Sequence, residues 1–210
     1  MSTSNKGIFI SFEGIDGCGK STQVKLLIDR MYKDGIDSIL VREPGGIELS
    51  EDIRTILLNN RNSTMSSRTE ALLMTASRAQ LTKRKIIPAL ENGTCVIADR
   101  FKDSTLAYQG GGRGLNINSL INLNNFATYE LDPDITIFLD VSVEVALQRS
   151  NKSNPDRIES EGINFQNNVR NCYLTLANKF PNRITKINGA NSIEVIHRTI
   201  WGKIINYFND

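Results

Sequence analysis

Apolar positions along this chain follow two periods, and each change of period marks an element. Ile8-Phe9-Ile10-Ser11-Phe12 is a short apolar run ended by glycine and reads as a buried strand. From Lys20 the apolar residues Val24, Leu27, Ile28 and Met31 recur at helical spacing, and Asp34-Gly35 stops the helix. Ser38-Ile39-Leu40-Val41 is a second strand, broken by Glu43-Pro44-Gly45-Gly46, and helical patterns follow over 48 to 59 and 66 to 91. Thr94 to Ala98 is a third strand closed by Asp99, and Ile135 to Leu139, after a helix over 118 to 130, is a fourth closed by Asp140. Helices over 142 to 150 and 163 to 179, a strand over 183 to 187 and a C-terminal helix complete the pattern.

Five apolar strands alternating with helices predict an α/β fold: one domain over residues 1 to 210, with a five-stranded parallel sheet flanked by helices on both faces. Ligands of such sheets collect beyond the carboxyl ends of the strands. The punctuated stretches 14 to 21, 42 to 46 and 99 to 105 all begin where a strand ends, and residues 151 to 162, rich in Ser, Asn and charge, are expected to be mobile.

Composition removes several functions. The net charge is +2, and the densest basic cluster, Lys83-Arg84-Lys85, reads as a solvated helix face, so no nucleic-acid partner is expected. The apolar runs are strand-sized, so no membrane span is expected. The polar start MSTSNKG leaves no room for a signal peptide, which points to the cytoplasm. Cys18, Cys95 and Cys172 are odd in number and lack C-x-x-C spacing, against a disulfide framework or a structural zinc. A single histidine, His197, leaves little for a triad or a His-rich metal site.

Gly14-Ile15-Asp16-Gly17-Cys18-Gly19-Lys20-Ser21 matches G-x-x-x-x-G-K-[ST] between a strand and a helix. Glycines let the backbone N–H groups curl around phosphates, and the helix N-terminus adds partial positive charge. Lys20 would reach the β and γ phosphates of a nucleotide and Ser21 would hold Mg²⁺, so a nucleoside triphosphate is the expected ligand, with Thr22 following in the site. Cys18 is either a tolerated small residue or an oxidation-prone thiol.

A GTP switch would need N-K-x-D after a strand, and Asn151-Lys152-Ser153-Asn154 ends in Asn and follows none. An ATP-hydrolysing binding or partitioning protein would carry a second acid after a hydrophobic strand, as Leu139-Asp140 does. Arg42, Arg54, Arg78, Arg100 and Arg157 all fall in or near loops, and a second anionic substrate explains several of them together.

Beyond the phosphate loop, Phe12-Glu13-Gly14, Arg42-Glu43-Pro44-Gly45-Gly46, Asp99-Arg100-Phe101, Ser104-Thr105, Ala107-Tyr108-Gln109-Gly110-Gly111-Gly112-Arg113-Gly114, Pro133-Asp134 and Asp156-Arg157-Ile158-Glu159 occur in the order in which bacterial thymidylate kinases carry their signatures. The chain resembles that family from about 8 to 190. The resemblance implies a P-loop kinase fold with a mobile lid at about 150 to 162, a homodimer, and transfer of the γ-phosphoryl of ATP to dTMP. A kinase for another pyrimidine monophosphate, such as dUMP, stays open beside it, as does the ATP-hydrolysing reading.

By the same resemblance Arg100 and Arg54 hold the dTMP phosphate, Asp99 orients Arg100 or meets Mg²⁺ through water, and Asp16 contacts the sugar 3′-hydroxyl or the metal shell. Arg78, Ser104 and Thr105 face the base, Tyr108 crowds the sugar 2′ position, and Glu43-Pro44 shapes the sugar pocket by a turn that is plain or cis. Arg149 flanks the adenine, and Arg157 supplies catalytic charge from the lid because position 17 is glycine where one branch of the family is basic. Met74 stands where many relatives stack a phenylalanine on thymine, and Leu106 where some have glutamine. Gly110-Gly111-Gly112 is expected to be a helix-ending turn, and Arg113 has no assigned role.

Overall fold

The computed structural model describes residues 7–150 and 155–209. Its sheet has strands β1 (Phe9–Glu13), β2 (Ser38–Arg42), β3 (Cys95–Asp99), β4 (Ile135–Asp140) and β5 (Ile184–Asn188) in the order β2-β3-β1-β4-β5, all parallel. The register sets Phe12 beside Asp99 and Asp99 beside Arg42. The phosphate loop, the Asp99 loop and the Glu43 turn therefore leave the sheet at one edge.

Both faces are covered, as central strands without polar alternation require. The larger core joins Phe12, Leu27, Ile97 and Ile137 to Val169 and Ile200, and a smaller one joins Phe9, Leu81, Ile86 and Phe101. Helix α1 (Lys20–Lys33) buries Val24, Leu27 and Met31, as its spacing predicts. Helix α2 (Glu48–Leu58) follows the Glu43 turn, whose Glu43-Pro44 peptide is cis.

The predicted helix over 66 to 91 is interrupted. Helix α3 (Ser67–Leu81), capped by Ser66, passes through a π turn (Thr82–Ile86) into the short α4 (Ile87–Glu91). Pro88 in α4 has no N–H for a carbonyl one turn back, so the preceding turn widens.

The glycines 110 to 112 are not a simple turn. They end a π-helix (Leu106–Gly112) that continues α5 (Lys102–Thr105). A Cβ on Gly111 would lie 2.5 Å from Cys172 Cβ, and one on Gly112 would lie 2.4 Å from the Phe165 ring. These glycines let the π-helix lie directly on α8 (Ile163–Lys179). Helices α6 (Ile117–Thr128), α7 (Val143–Arg149), α9 (Ile193–Ile204) and α10 (Asn206–Asn209) complete the fold. Among the described residues no helix is long and apolar enough to cross a membrane.

Candidate active site

A cleft of about 820 Å³ opens beyond the carboxyl ends of β1, β2 and β3. Asp16, Gly17, Gly19, Lys20, Ser21 and Thr22 form one side. Glu43, Pro44, Arg54, Met74 and Arg78 form the other, and Asp99, Arg100, Ser104, Thr105 and Tyr108 lie between them. Arg149 borders the loop side. Gly14, Ile15 and Cys18 shape the loop from behind without lining the cleft.

Lys20 is buried and its ammonium donates to Gly14 O at 3.0 Å and Ile15 O at 3.1 Å. Gly17 adopts φ 82°, and a Cβ there would lie 2.2 Å from the Ala146 carbonyl oxygen of α7. The loop backbone has no room for a basic side chain at this position. Cys18 is 1 % exposed and its Sγ lies 3.7 Å from Lys20 Nζ, so the thiol packs into the core behind the loop.

Arg100 stands in the left-handed region at φ 73°. Its Nη1 donates to Gly14 O at 2.9 Å, and its Nη2 donates to Asp16 Oδ1 at 2.8 Å and Tyr108 Oη at 3.0 Å. Tyr108 is nearly buried and its ring lies under the guanidinium carbon at 4.9 Å, so it serves the cleft and the core together. Arg54 donates to Pro44 O at 2.9 Å, bringing a second guanidinium to the same side. Desolvation, then the neighbouring Arg42, pulls Arg54 below its ordinary range.

Arg78 is buried, and its guanidinium is committed to Glu43 (2.7 Å), Thr105 (2.8 Å), Asn124 (2.6 Å) and the Phe101 carbonyl (3.0 Å). It is the frame of this wall. Burial raises the Glu43 carboxyl even though Arg78 pulls it down.

Arg157 does not reach the cleft. It donates through Nε to Leu57 O at 2.8 Å and through Nη1 to Glu70 at 2.7 Å, and both side chains are buried. Glu70 also accepts from Gln109 at 2.9 Å and from Arg113 at 3.1 and 3.2 Å, and Arg113 pairs further with Glu161. Desolvation raises the Glu70 carboxyl, but the hydrogen bonds from Arg113 and Gln109 outweigh it and leave the group below its ordinary value. A buried carboxylate neutralised in this way accounts for the placement of Arg157 and for the unassigned Arg113. Of the segment expected to be a lid, 151 to 154 lie outside the described residues, and Asp156, Ile158 and Glu159 border the cleft.

Asp140, the acid that would place water in a hydrolase, is instead held by Arg170 at 2.7 and 3.3 Å and does not line the cleft. The partial N-K-x-D motif at 151 to 154 also lies outside the described residues. His197 lies on α9, away from the cleft. Sequence reasoning missed Glu13, Gln109 and Tyr173. The signal available for Glu13 was an acid closing an apolar strand.

One cleft thus joins a phosphate loop to a separate set of arginines. The family described as Thymidylate kinase matches residues 12–200. The chain belongs to the thymidylate kinase family. It is 50 % identical to the thymidylate kinase of Fervidobacterium nodosum over 202 residues, covering 96 % of this chain and 98 % of that one. It is 45 % identical to the thymidylate kinase of Enterococcus faecalis over 207 residues, covering 97 % and 98 %. A thymidylate kinase from a Thermoanaerobacter strain is 44 % identical over 202 residues, covering 96 % and 99 %. The matched span of the thymidylate kinase family holds every cleft residue named above.

Proposed function

We propose that this chain transfers the γ-phosphoryl group of ATP to dTMP, giving dTDP and ADP, as a cytoplasmic homodimer on the route to dTTP. One observation carries the reading. Lys20 from the phosphate loop and Arg100 from the acceptor side donate to the same carbonyl oxygen, that of Gly14. A phosphate arriving on either side would take over contacts that a backbone oxygen now satisfies.

The attacking oxygen of a monophosphate is already anionic at neutral pH, so the protein need only position and neutralise. Lys20 holds the donor phosphates, while Arg100 and Arg54 hold the acceptor phosphate in the planar two-pronged manner that suits guanidinium. Asp16 fixes Arg100 from the loop and takes the sugar hydroxyl. Tyr108 crowds the 2′ position, Met74 packs on the base, and Ser104 and Thr105 meet its edge within the frame held by Arg78.

The hydroxyl of Ser21 and the carboxylate of Asp99 both border the cleft, and such hard oxygen donors fit Mg²⁺. When bound, that ion neutralises charge on the β and γ phosphates. Arg149, whose Nη1 donates to Gly189 O at 2.8 Å, flanks the adenine. Exposed Leu72 on α3, Phe126 on α6 and Tyr129 beyond it support the homodimer.

The test is an ADP-coupled assay with dTMP, dUMP, dCMP, dGMP and AMP supplied in turn. The reading expects dTMP to give the highest kcat/KM; equal ADP formation without any acceptor overturns it in favour of ATP hydrolysis.

A further inference from the structure

Glu13 ends β1 with its side chain wholly buried, and it does not line the cleft. Its Oε1 accepts from Phe101 N at 2.8 Å, and its Oε2 accepts from Ser104 Oγ at 2.6 Å and Tyr173 Oη at 2.8 Å. The same two hydroxyls receive Arg100 Nη1 at 3.3 and 3.4 Å. A hydroxyl has one hydrogen to give. The two hydroxyls also lie 2.9 Å from each other, so their oxygens accept from the guanidinium while their hydrogens serve the carboxylate or the neighbouring hydroxyl, and Arg100, Ser104, Tyr173 and Glu13 form one network.

The backbone is held from the same place. Arg100 at φ 73° is strained for a residue with a side chain. Its own N–H is tied to Phe12 O at 3.0 Å, and the following N–H is the one tied to Glu13. The other groups around Glu13 are already engaged. Asp103 of α5 is held by Arg183 at 2.5 and 2.8 Å, Phe138 of β4 stacks on Tyr173, and Asp16 and Tyr108 hold the other nitrogen of Arg100.

We infer that Glu13 is a positioning residue for phosphoryl transfer, setting the backbone and guanidinium of Arg100 through Phe101 N–H and the hydroxyls of Ser104 and Tyr173. This rests on the acceptor-phosphate role of Arg100 proposed above. Glu13→Gln keeps the shape of the side chain but turns one oxygen into a donor, which must confront either the Phe101 N–H or the two hydroxyls.

The experiment measures kcat and KM for dTMP, the Kd of ATP and the thermal melt for the wild type, Glu13→Gln, Tyr173→Phe and the double variant. Glu13→Gln is expected to melt cooperatively, to lose fivefold or more in kcat/KM for dTMP, and to bind ATP within twofold of the wild type. The double variant is expected to lose less than the product of the two single losses, because both act through one chain of bonds. A loss below fivefold, an equal loss in ATP binding, or multiplying losses overturns the inference. If Glu13→Gln does not melt cooperatively, Tyr173→Phe decides: a threefold or greater loss confined to dTMP supports it, and anything less overturns it. Failure of the wild type to phosphorylate dTMP defeats the function itself, a result distinct from an active wild type with an indifferent Glu13→Gln.

Discussion

Lys20 and Arg100 meet at the carbonyl oxygen of Gly14, 3.0 Å from one and 2.9 Å from the other. A side chain from the helix after β1 and another from the loop after β3 thus converge where donor and acceptor phosphates would abut. Lysine in place of Arg100 keeps the charge but loses the planar fork, which here spans Gly14 and Asp16 at once. Arg100→Lys is expected to lower kcat by at least about 100-fold, the scale of losing a transition-state charge contact. Steady-state kinetics at saturating ATP and dTMP check this, and a kcat within threefold of the wild type contradicts it.

Arg157 is bonded to Glu70, so its substitution should register as stability. Removing one partner of a buried pair costs about 3 kcal/mol, here lessened because Arg113 and Gln109 still serve Glu70. Arg157→Ala is expected to unfold at lower denaturant with kcat within about threefold of the wild type. A large fall in kcat at unchanged stability would return Arg157 to the phosphates.

Gly17 carries φ 82° beside the Ala146 carbonyl. Gly17→Arg adds a strained backbone, on the order of 1 kcal/mol, to a direct overlap. It is expected to weaken ATP binding at least about tenfold, read by titration with ATP. Wild-type affinity in this variant would show that the loop has room for a basic residue after all.

Glu13 is expected to make the stability of the protein depend on pH. Burial first, then Asp103, raises its carboxyl from 4.5 to about 7 in the folded chain. The folded state therefore holds its proton more tightly than the unfolded state does. The resulting stability is complete below about pH 4.5 and disappears as pH rises to about 7, on the order of 3 kcal/mol in all. Denaturant unfolding between pH 4.5 and 8 should show the wild type losing stability relative to Glu13→Gln across this window. Parallel curves would contradict the assignment. The ionised form, the one proposed to align Ser104 and Tyr173, is thus expected to be the less stable one.

The sheet, its strand ends and the phosphate loop were legible because each rests on local signals: apolar runs, glycine breaks and a fixed spacing of Gly, Lys and Ser. Arg100 could be singled out because it follows a strand end, and Arg54 and Arg78 because they lie on helices near such loops. What stayed hidden depends on partners distant in sequence. Nothing near Arg157 announces Glu70, and nothing near Asp140 announces Arg170. The π turns ahead of Pro88 and at the 110 to 112 glycines are decided by a missing donor and by contact with α8, neither of which changes the apolar period. Glu13 was overlooked because it closes an apolar run, although a carboxylate in a fully buried strand must find donors.

Phosphoryl transfer is read most directly by following the label of γ-labelled ATP in the presence of dTMP. The label is expected to appear in dTDP in step with ADP, and Arg100→Lys to slow this transfer without moving the label elsewhere. Label released as inorganic phosphate at the same rate with or without dTMP would contradict it.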